Sequence, residues 1–227
     1  MKKQVLIVTL ALCVSAGFAQ ESQKSELETK DSAYTRTLNE RATKIATVLG
    51  ISDAGKSNRV HGIIVQQYRD LNAIHEPRDA QIKAAKERAS GDKAAANSAV
   101  ETARAEAKPK LDKLHAEFLA KLSAELSPEQ VEKVKDGLTY GVVPLTYGAY
   151  LKMYPELKDE EKKQIMAWLV EARELAMDGS TSDEKHAVFG KYKGKINNYL
   201  SKAGYDAKKG EQNLKRATPS ASENQAK

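Results

Sequence analysis

A chain of 227 residues that is 41% hydrophobic and 30% charged is long enough for one domain of about 200 residues or two small ones. This much charge excludes a membrane-embedded chain. Aromatics make up only 6% and much of the apolar fraction is alanine, which suits long helices with thin seams and argues against a β-sandwich. The formal net charge of +6 comes from interleaved acids and bases, the pattern of a solvated helix surface. No basic–aromatic module for nucleic acid is present.

The first residues read as a targeting segment. Lys2 and Lys3 precede the apolar run Val5 to Val14, and small residues with Gly17-Phe18-Ala19 follow. This is a signal peptide over 1–19, cut after Ala19. The run is too short for a permanent span, so the expected destination is export, with the periplasm first. Cys13, the single cysteine, lies inside the segment. Leu12 stands before it where a lipobox needs a small residue, so a lipoprotein anchored through Cys13 is the lesser alternative. The mature chain then has no disulfide, thiol nucleophile or thiolate metal site. Removing Lys2 and Lys3 from 37 basic residues leaves 35 against 31 acidic ones, a formal +4.

Residues 20–30 are polar and read as a flexible N-terminal segment. Asp31 or Ser32 can cap a helix to about Leu49, with Tyr34, Leu38, Ile45, Val48 and Leu49 on its apolar face and Gly50 as its stop. Ser52 or Asp53 caps the next. There Val60, Ile63, Ile64, Gln67, Tyr68, Leu71 and Ile74 recur at helical spacing, and the pattern runs past Pro77. Ser90-Gly91-Asp92 is a turn. Lys93 to Leu126 follows, with Val100, Leu111, Leu114, Phe118, Leu122 and Leu126 on one face. The two arms, about 53–126, predict an antiparallel α-hairpin. Pro77 and Pro109 fall at nearly the same height and are expected to kink both arms. Beyond them large apolar residues nearly vanish, so the far end packs through alanines.

Ser127-Pro128-Glu129-Gln130 is a helix start with a capping box and proline at the first helical position. Val131, Val134 and Leu138 follow. Leu-Thr-Tyr-Gly then occurs twice, at 138–141 and 145–148, and Tyr140, Tyr147, Tyr150 and Tyr154 crowd this stretch. Pro144 is expected to break whatever helix precedes it, and Gly141 and Gly148 allow close approach. Lys158 or Asp159 opens a helix with Ile165, Trp168, Leu169, Ala172, Leu175 and Ala176 inward. Residues 179–182 turn, and Asp183 starts a helix with Val188, Phe189, Tyr192, Ile196, Tyr199 and Leu200 inward, ending at Gly204. Residues 206–227 are polar and aperiodic and read as a disordered tail. The fold class is all-α: a single helical domain over 31–205, with a long kinked hairpin and a Tyr/Gly-rich segment between helices.

Three blocks carry a resemblance. They are Arg59-Val60-His61-Gly62-Ile63-Ile64-Val65-Gln66-Gln67-Tyr68-Arg69-Asp70-Leu71-Asn72-Ala73-Ile74-His75, the run Leu126 to Pro144, and Glu184 to Leu200 with its Phe189-Gly190-Lys191-Tyr192-Lys193-Gly194-Lys195. Together they resemble the exported family catalogued as domain of unknown function 3826, typical of polysaccharide-degrading bacteria and described as sugar-binding. The resemblance covers roughly 32–206. It implies a setting in polysaccharide utilisation and a carbohydrate ligand, and it brings no catalytic residues with it. A second likeness, of Leu126-Ser127-Pro128-Glu129-Gln130 to a motif of Spy-type periplasmic chaperones, is one that a capping box with proline produces in unrelated helices.

Tyrosines suit sugar recognition, because the ring covers the apolar face of a pyranose while the hydroxyl bonds at the rim. Tyr140, Tyr147 and Tyr150 are the first ligand candidates, with Thr139 and Thr146 as polar partners; the alternative packs these tyrosines in a core. Asn72, His75, Glu76, Arg78 and Asp79 gather around Pro77 as a second wall or as a hinge. Lys191 to Lys195 around Tyr192 could meet a uronate or a sulfate, or form a solvated face. The four histidines, His61, His75, His115 and His186, show no ligand spacing, so no metal and no cofactor is expected. Three functions stay open. One is a non-enzymatic carbohydrate-binding protein. Another is a lyase or hydrolase acting on polysaccharide. The last is a helical adaptor or chaperone that engages an envelope partner through the hairpin.

Overall fold

The computed structural model describes residues 32–218. The expected signal peptide with Cys13, the segment 20–30 and the end of the tail lie outside the described residues. Among the described residues there are eight helices and no strand, the all-α class that the alanine-rich composition predicts.

Helix α1 covers 32–47 and turns at Gly50, whose φ is +65°. Leu38, Ala42, Ile45 and Leu49 are buried, while Val48 is exposed and Tyr34 lies at a rim, 38% exposed. Asp53 caps α2 (Ala54–Arg88), and Asp92 caps α3 (Lys93–Glu125) through the Ala94 and Ala95 amides. The two form the predicted hairpin, and the Arg59–Glu125 ion pair (2.8 Å) joins their bases. Pro77 and Pro109 both lie inside unbroken helices. Past Pro109, toward the tip, the buried positions of α3 are Ala107 and Ala103, so the arms meet there through methyl groups.

The capping box of Ser127 and Gln130 starts α4 (Pro128–Leu138) as expected, and the Gln130 amide also donates to the Leu49 carbonyl. The break in the Tyr/Gly segment is not at Pro144. It falls at Thr139–Gly141, and α5 (Val142–Met153) carries Pro144 in its first turn, where a missing N–H leaves no carbonyl unsatisfied. Helix α6 (Asp159–Met177) buries Ile165, Leu169, Ala172 and Ala176 but leaves Leu175 55% exposed. Helix α7 (Ser182–Lys202) is capped by Thr181 and buries Phe189, Ile196 and Leu200.

The polar segment after Asp206 corrects the expectation of disorder. Asp206 caps a helix, α8 (Ala207–Ala217). Its Gly210 lies against the Tyr154 ring, and Asn213 donates to the Met153 carbonyl at 3.0 Å. A small residue at the contact, not a run of large apolar ones, docks this helix, and so hydrophobic periodicity missed it.

The apolar residues form two clusters. One joins α1, α2, α3 and α4 through Ile45, Ile64, Phe118, Leu122 and Val134. The other joins α5, α6 and α7 through Tyr150, Ile165, Leu169, Phe189 and Ile196. Burial of such side chains contributes about 1.5–3 kcal/mol each. Buried Arg173 of α6 ties the α4 and α6 sides together through Asp136 (2.7 Å) and Glu132. No helix among the described residues is long and apolar enough to cross a membrane.

Candidate functional site

Two cavities lie side by side at the α6–α7 turn and share Gly179. The first, of about 330 Å³, is lined by Tyr34, Leu38 and Arg41 of α1, Tyr68, Leu71 and Asn72 of α2, Tyr140, residues 179–182 and Lys185 of α7. Its volume falls at the small end of ligand pockets, which run from about 300 to 1,000 Å³.

Lys185 sits at the floor and is 4% exposed. It occupies the buried stripe of α7, four residues before Phe189, in register with Ile196 and Leu200. Its Nζ donates to the Leu138 carbonyl at 2.9 Å and stands 6.0 Å from the ring centroids of both Tyr68 and Tyr140. Burial, with repulsion from Arg41 adding to it against a pull from Asp178, lowers its pKa to about 8. Arg41 lies 6.0 Å from the Tyr68 ring. Burial pushes the Tyr68 hydroxyl up to about 12, so it stays a neutral donor.

Tyr140 is held in an unusual backbone conformation. Helix α4 ends in a Schellman motif: the Gly141 amide donates to the Asp136 carbonyl (2.8 Å) and the Tyr140 amide to that of Gly137. The motif puts Tyr140 at φ +60°, the left-handed region where a side chain costs roughly 1–2 kcal/mol. Its ring stacks on His186 with centroids 5.7 Å apart, and the residue remains 48% exposed.

The second cavity, of about 280 Å³, is lined by His75, Arg78, Arg104, Lys108, Asp178, Glu184 and Lys191 over apolar side chains of α3, α6 and α7. Here four cations meet two acids, and both acids are engaged. Glu184 accepts from Arg78 (2.8 Å) with one oxygen and from the Ser180 amide and hydroxyl with the other. Asp178 accepts from His115 Nδ1 through its carboxylate and from His75 Nε2 (2.6 Å) through its carbonyl. His75 is therefore the Nε2–H tautomer, and burial lowers its pKa. Its Nδ1 has no partner among the described residues. His115, bonded to Asp178 and Glu174, is raised to about 9.

The structure separates the residues singled out in the sequence. Tyr140 and Asn72 line the first cavity, and His75 and Arg78 the second. Tyr150 is a core residue, 5% exposed, with its hydroxyl donating to Asn197 at 2.8 Å. Tyr147 packs half-buried against the same cluster, and Thr146 is half-buried on α5. Thr139 is fully buried and bonds the Lys135 carbonyl. Tyr192 also packs on this cluster, with Lys195 5.4 Å from its ring centroid and 4.6 Å from that of Trp168. Among the described residues no three histidine or acidic side chains are placed to hold a metal.

Sequence reasoning passed over Tyr34, Tyr68, Arg41 and Lys185. Lys185 carried a signal: a lysine on the apolar stripe of its own helix is a buried charge in need of a reason. Arg41 carried none.

A profile of proteins of unknown function, DUF3826, matches residues 35–218 of the chain. The chain belongs to the DUF3826 family. No curated protein matches it. The DUF3826 match runs from α1 to the end of α8, so every residue of the two cavities except Tyr34 lies inside it.

Proposed function

We propose that the protein is an exported carbohydrate-binding protein of polysaccharide utilisation, with its site in the cavity between Tyr68 and Tyr140. One observation carries this reading: three tyrosines from three separate parts of the chain converge on a single cavity. Their rings offer faces to a pyranose, and Asn72 with Ser180, Thr181 and Ser182 offers donors and acceptors to its hydroxyls. The strain at Tyr140 supports it, since left-handed side-chain residues concentrate at ligand sites. Among the described residues no aspartate or glutamate lines this cavity.

The test is calorimetry of the chain from Gln20 to Lys227 against plant and host glycans, beside Tyr68→Ala. Saturable binding that the folded variant loses supports the site. Binding that survives Tyr68→Ala unchanged removes it from this cavity, and release of sugar products over time replaces binding with catalysis.

A further inference from the structure

The two neighbouring cavities carry the same excess of positive charge but differ in whether an acid lines them. In the second, Arg78, Arg104, Lys108 and Lys191 face Asp178 and Glu184. In the first, no acid lines the cavity beside Arg41 and Lys185, and Asp178 acts on Lys185 only from outside it. Among the described residues neither of them reaches a carboxylate at ion-pair distance. Lys185 has one carbonyl and two ring faces, and Arg41 has the Tyr68 ring. The nearby acids are engaged elsewhere: Asp178 holds His115, and Glu184 holds Arg78 and Ser180. Two like charges over one cavity repel each other, and burying one of them costs more still. The N-terminus of α7 opens on the same cavity through Thr181 and Ser182, and its first-turn amides add partial positive charge. Such an arrangement is stable with an anion between the cations.

We infer that the cavity takes an acidic sugar, a uronate whose carboxylate seats between Arg41 and Lys185 while its ring lies against Tyr68 and Tyr140. This rests on the carbohydrate reading above and gives it a ligand class. The guanidinium suits a carboxylate through two parallel N–H···O bonds, and the ammonium supplies a point charge. Asn72 and the hydroxyls of 180–182 are left for the sugar's neutral groups.

The experiment compares trimers of galacturonate and mannuronate with trimers of galactose and mannose, and with a sulfated galactose trimer. The full mature chain is titrated at low salt, beside Lys185→Met and Arg41→Gln. Arg41 is exposed, so its variant folds even if Lys185→Met does not. The expected result is uronate binding about tenfold or more tighter than the neutral trimer, the scale of one charge-assisted bond. Either variant abolishes that preference. Equal affinity for neutral and acidic trimers overturns the uronate inference while sparing carbohydrate binding. So does a preference that survives Arg41→Gln. Tighter binding of the sulfated trimer overturns the carboxylate. No binding of any trimer overturns both readings together.

Discussion

Tyr140 and Gly204 occupy the same position in two copies of one helix-ending motif. At the end of α7 the Tyr205 amide bonds the Leu200 carbonyl and the Gly204 amide bonds that of Ser201, the pattern that Gly141 and Tyr140 repeat at the end of α4. Gly204 has φ +92° and Tyr140 has φ +60°. Glycine takes this conformation without steric cost, and tyrosine does not. The fold thus keeps a strained tyrosine where glycine serves elsewhere, and that tyrosine stands over Lys185 at the cavity mouth. Tyr140→Gly is therefore expected to leave stability unchanged or raise it by about 1 kcal/mol, while weakening sugar binding about tenfold or more. Tyr140→Ala loses the ring but keeps the strain, so it should melt below Tyr140→Gly. Thermal melts and calorimetry on the two variants check the pair of outcomes.

On the proposed reading, Lys185 should make binding of an acidic sugar depend on pH. The groups around it are Arg41 from α1, Tyr68 from α2, Tyr140 after α4, Asp178 after α6 and His186 from α7, which stacks on Tyr140. Its pKa of about 8 means that the ammonium is present at pH 7 and lost as pH rises through 8. Uronate affinity should fall between pH 7 and 9, while affinity for a neutral trimer changes little. A bound carboxylate raises the pKa again, so binding near pH 8.5 should take up a proton. Calorimetry in buffers of different ionisation enthalpy reads that uptake directly, and Lys185→Met should abolish it. For stability the sign is reversed. The folded pKa lies below the free value of about 10.5, so the cost of burying the charge is full below pH 8 and relieved between 8 and 10.5.

The helices themselves were legible because caps and periodicity are local. Asp53, Asp92, Ser127 and Asp206 each sit at the start of a helix, and three of these starts were read correctly. The fourth was lost because α8 docks through Gly210, and a glycine leaves no mark in a hydrophobic pattern. The site was half legible. Of the Tyr/Gly stretch, α5 turns Tyr150 into the core and leaves Tyr140 behind at the cavity. Which tyrosine faces which way depends on a break at 139–141 rather than at Pro144, where Tyr140 takes a left-handed position before the left-handed Gly141, and only the glycine of the two leaves a sequence signal. Arg41, Tyr68 and Lys185 lie far apart in the chain, on α1, α2 and α7, and meet only at the cavity.

His115 sets a second pH dependence, in stability. Its imidazolium bonds the Asp178 carboxylate at 3.0 Å and faces Glu174 at 3.6 Å. Burial alone would raise Glu174, but His115 and Lys135 outweigh it and hold the acid at about 2. The His115 pKa of about 9 lies above the free value of 6.5. Its contribution is therefore full below pH 6.5 and is lost as pH rises through 9. Glu174 contributes above pH 4.5 and fails only as pH falls toward 2. Partly buried pairs of this kind are worth roughly 1–3 kcal/mol. Urea unfolding of the wild type should show stability declining from pH 6.5 to 8 by that order, before relief of the Lys185 burial cost opposes it at higher pH. His115→Gln should start lower and remove that decline. A variant with the same slope as the wild type would put the pH dependence elsewhere.

Gly210 tests whether α8 belongs to the fold. A Cβ on Gly210 would lie 2.7 Å from the Tyr154 ring, and Tyr154 is 5% exposed and packed edge-on to Tyr205. The ring cannot retreat without disturbing the second cluster, so the helix must lift instead. Gly210→Ala gains helix propensity of about 1 kcal/mol but meets an overpacking cost of about 1–3 kcal/mol, and the contact should win. Hydrogen exchange should then show lost protection over 207–217, with α6 and α7 still protected, because α8 packs mainly against α5, with Gly210–Tyr154 and Asn213–Met153 among its contacts. Gly190→Ala, where a Cβ meets nothing within 4 Å, supplies the control: it should raise stability slightly through propensity alone. Unchanged protection of α8 in Gly210→Ala would mean that Tyr154 yields, and that the glycine is not what seats this helix.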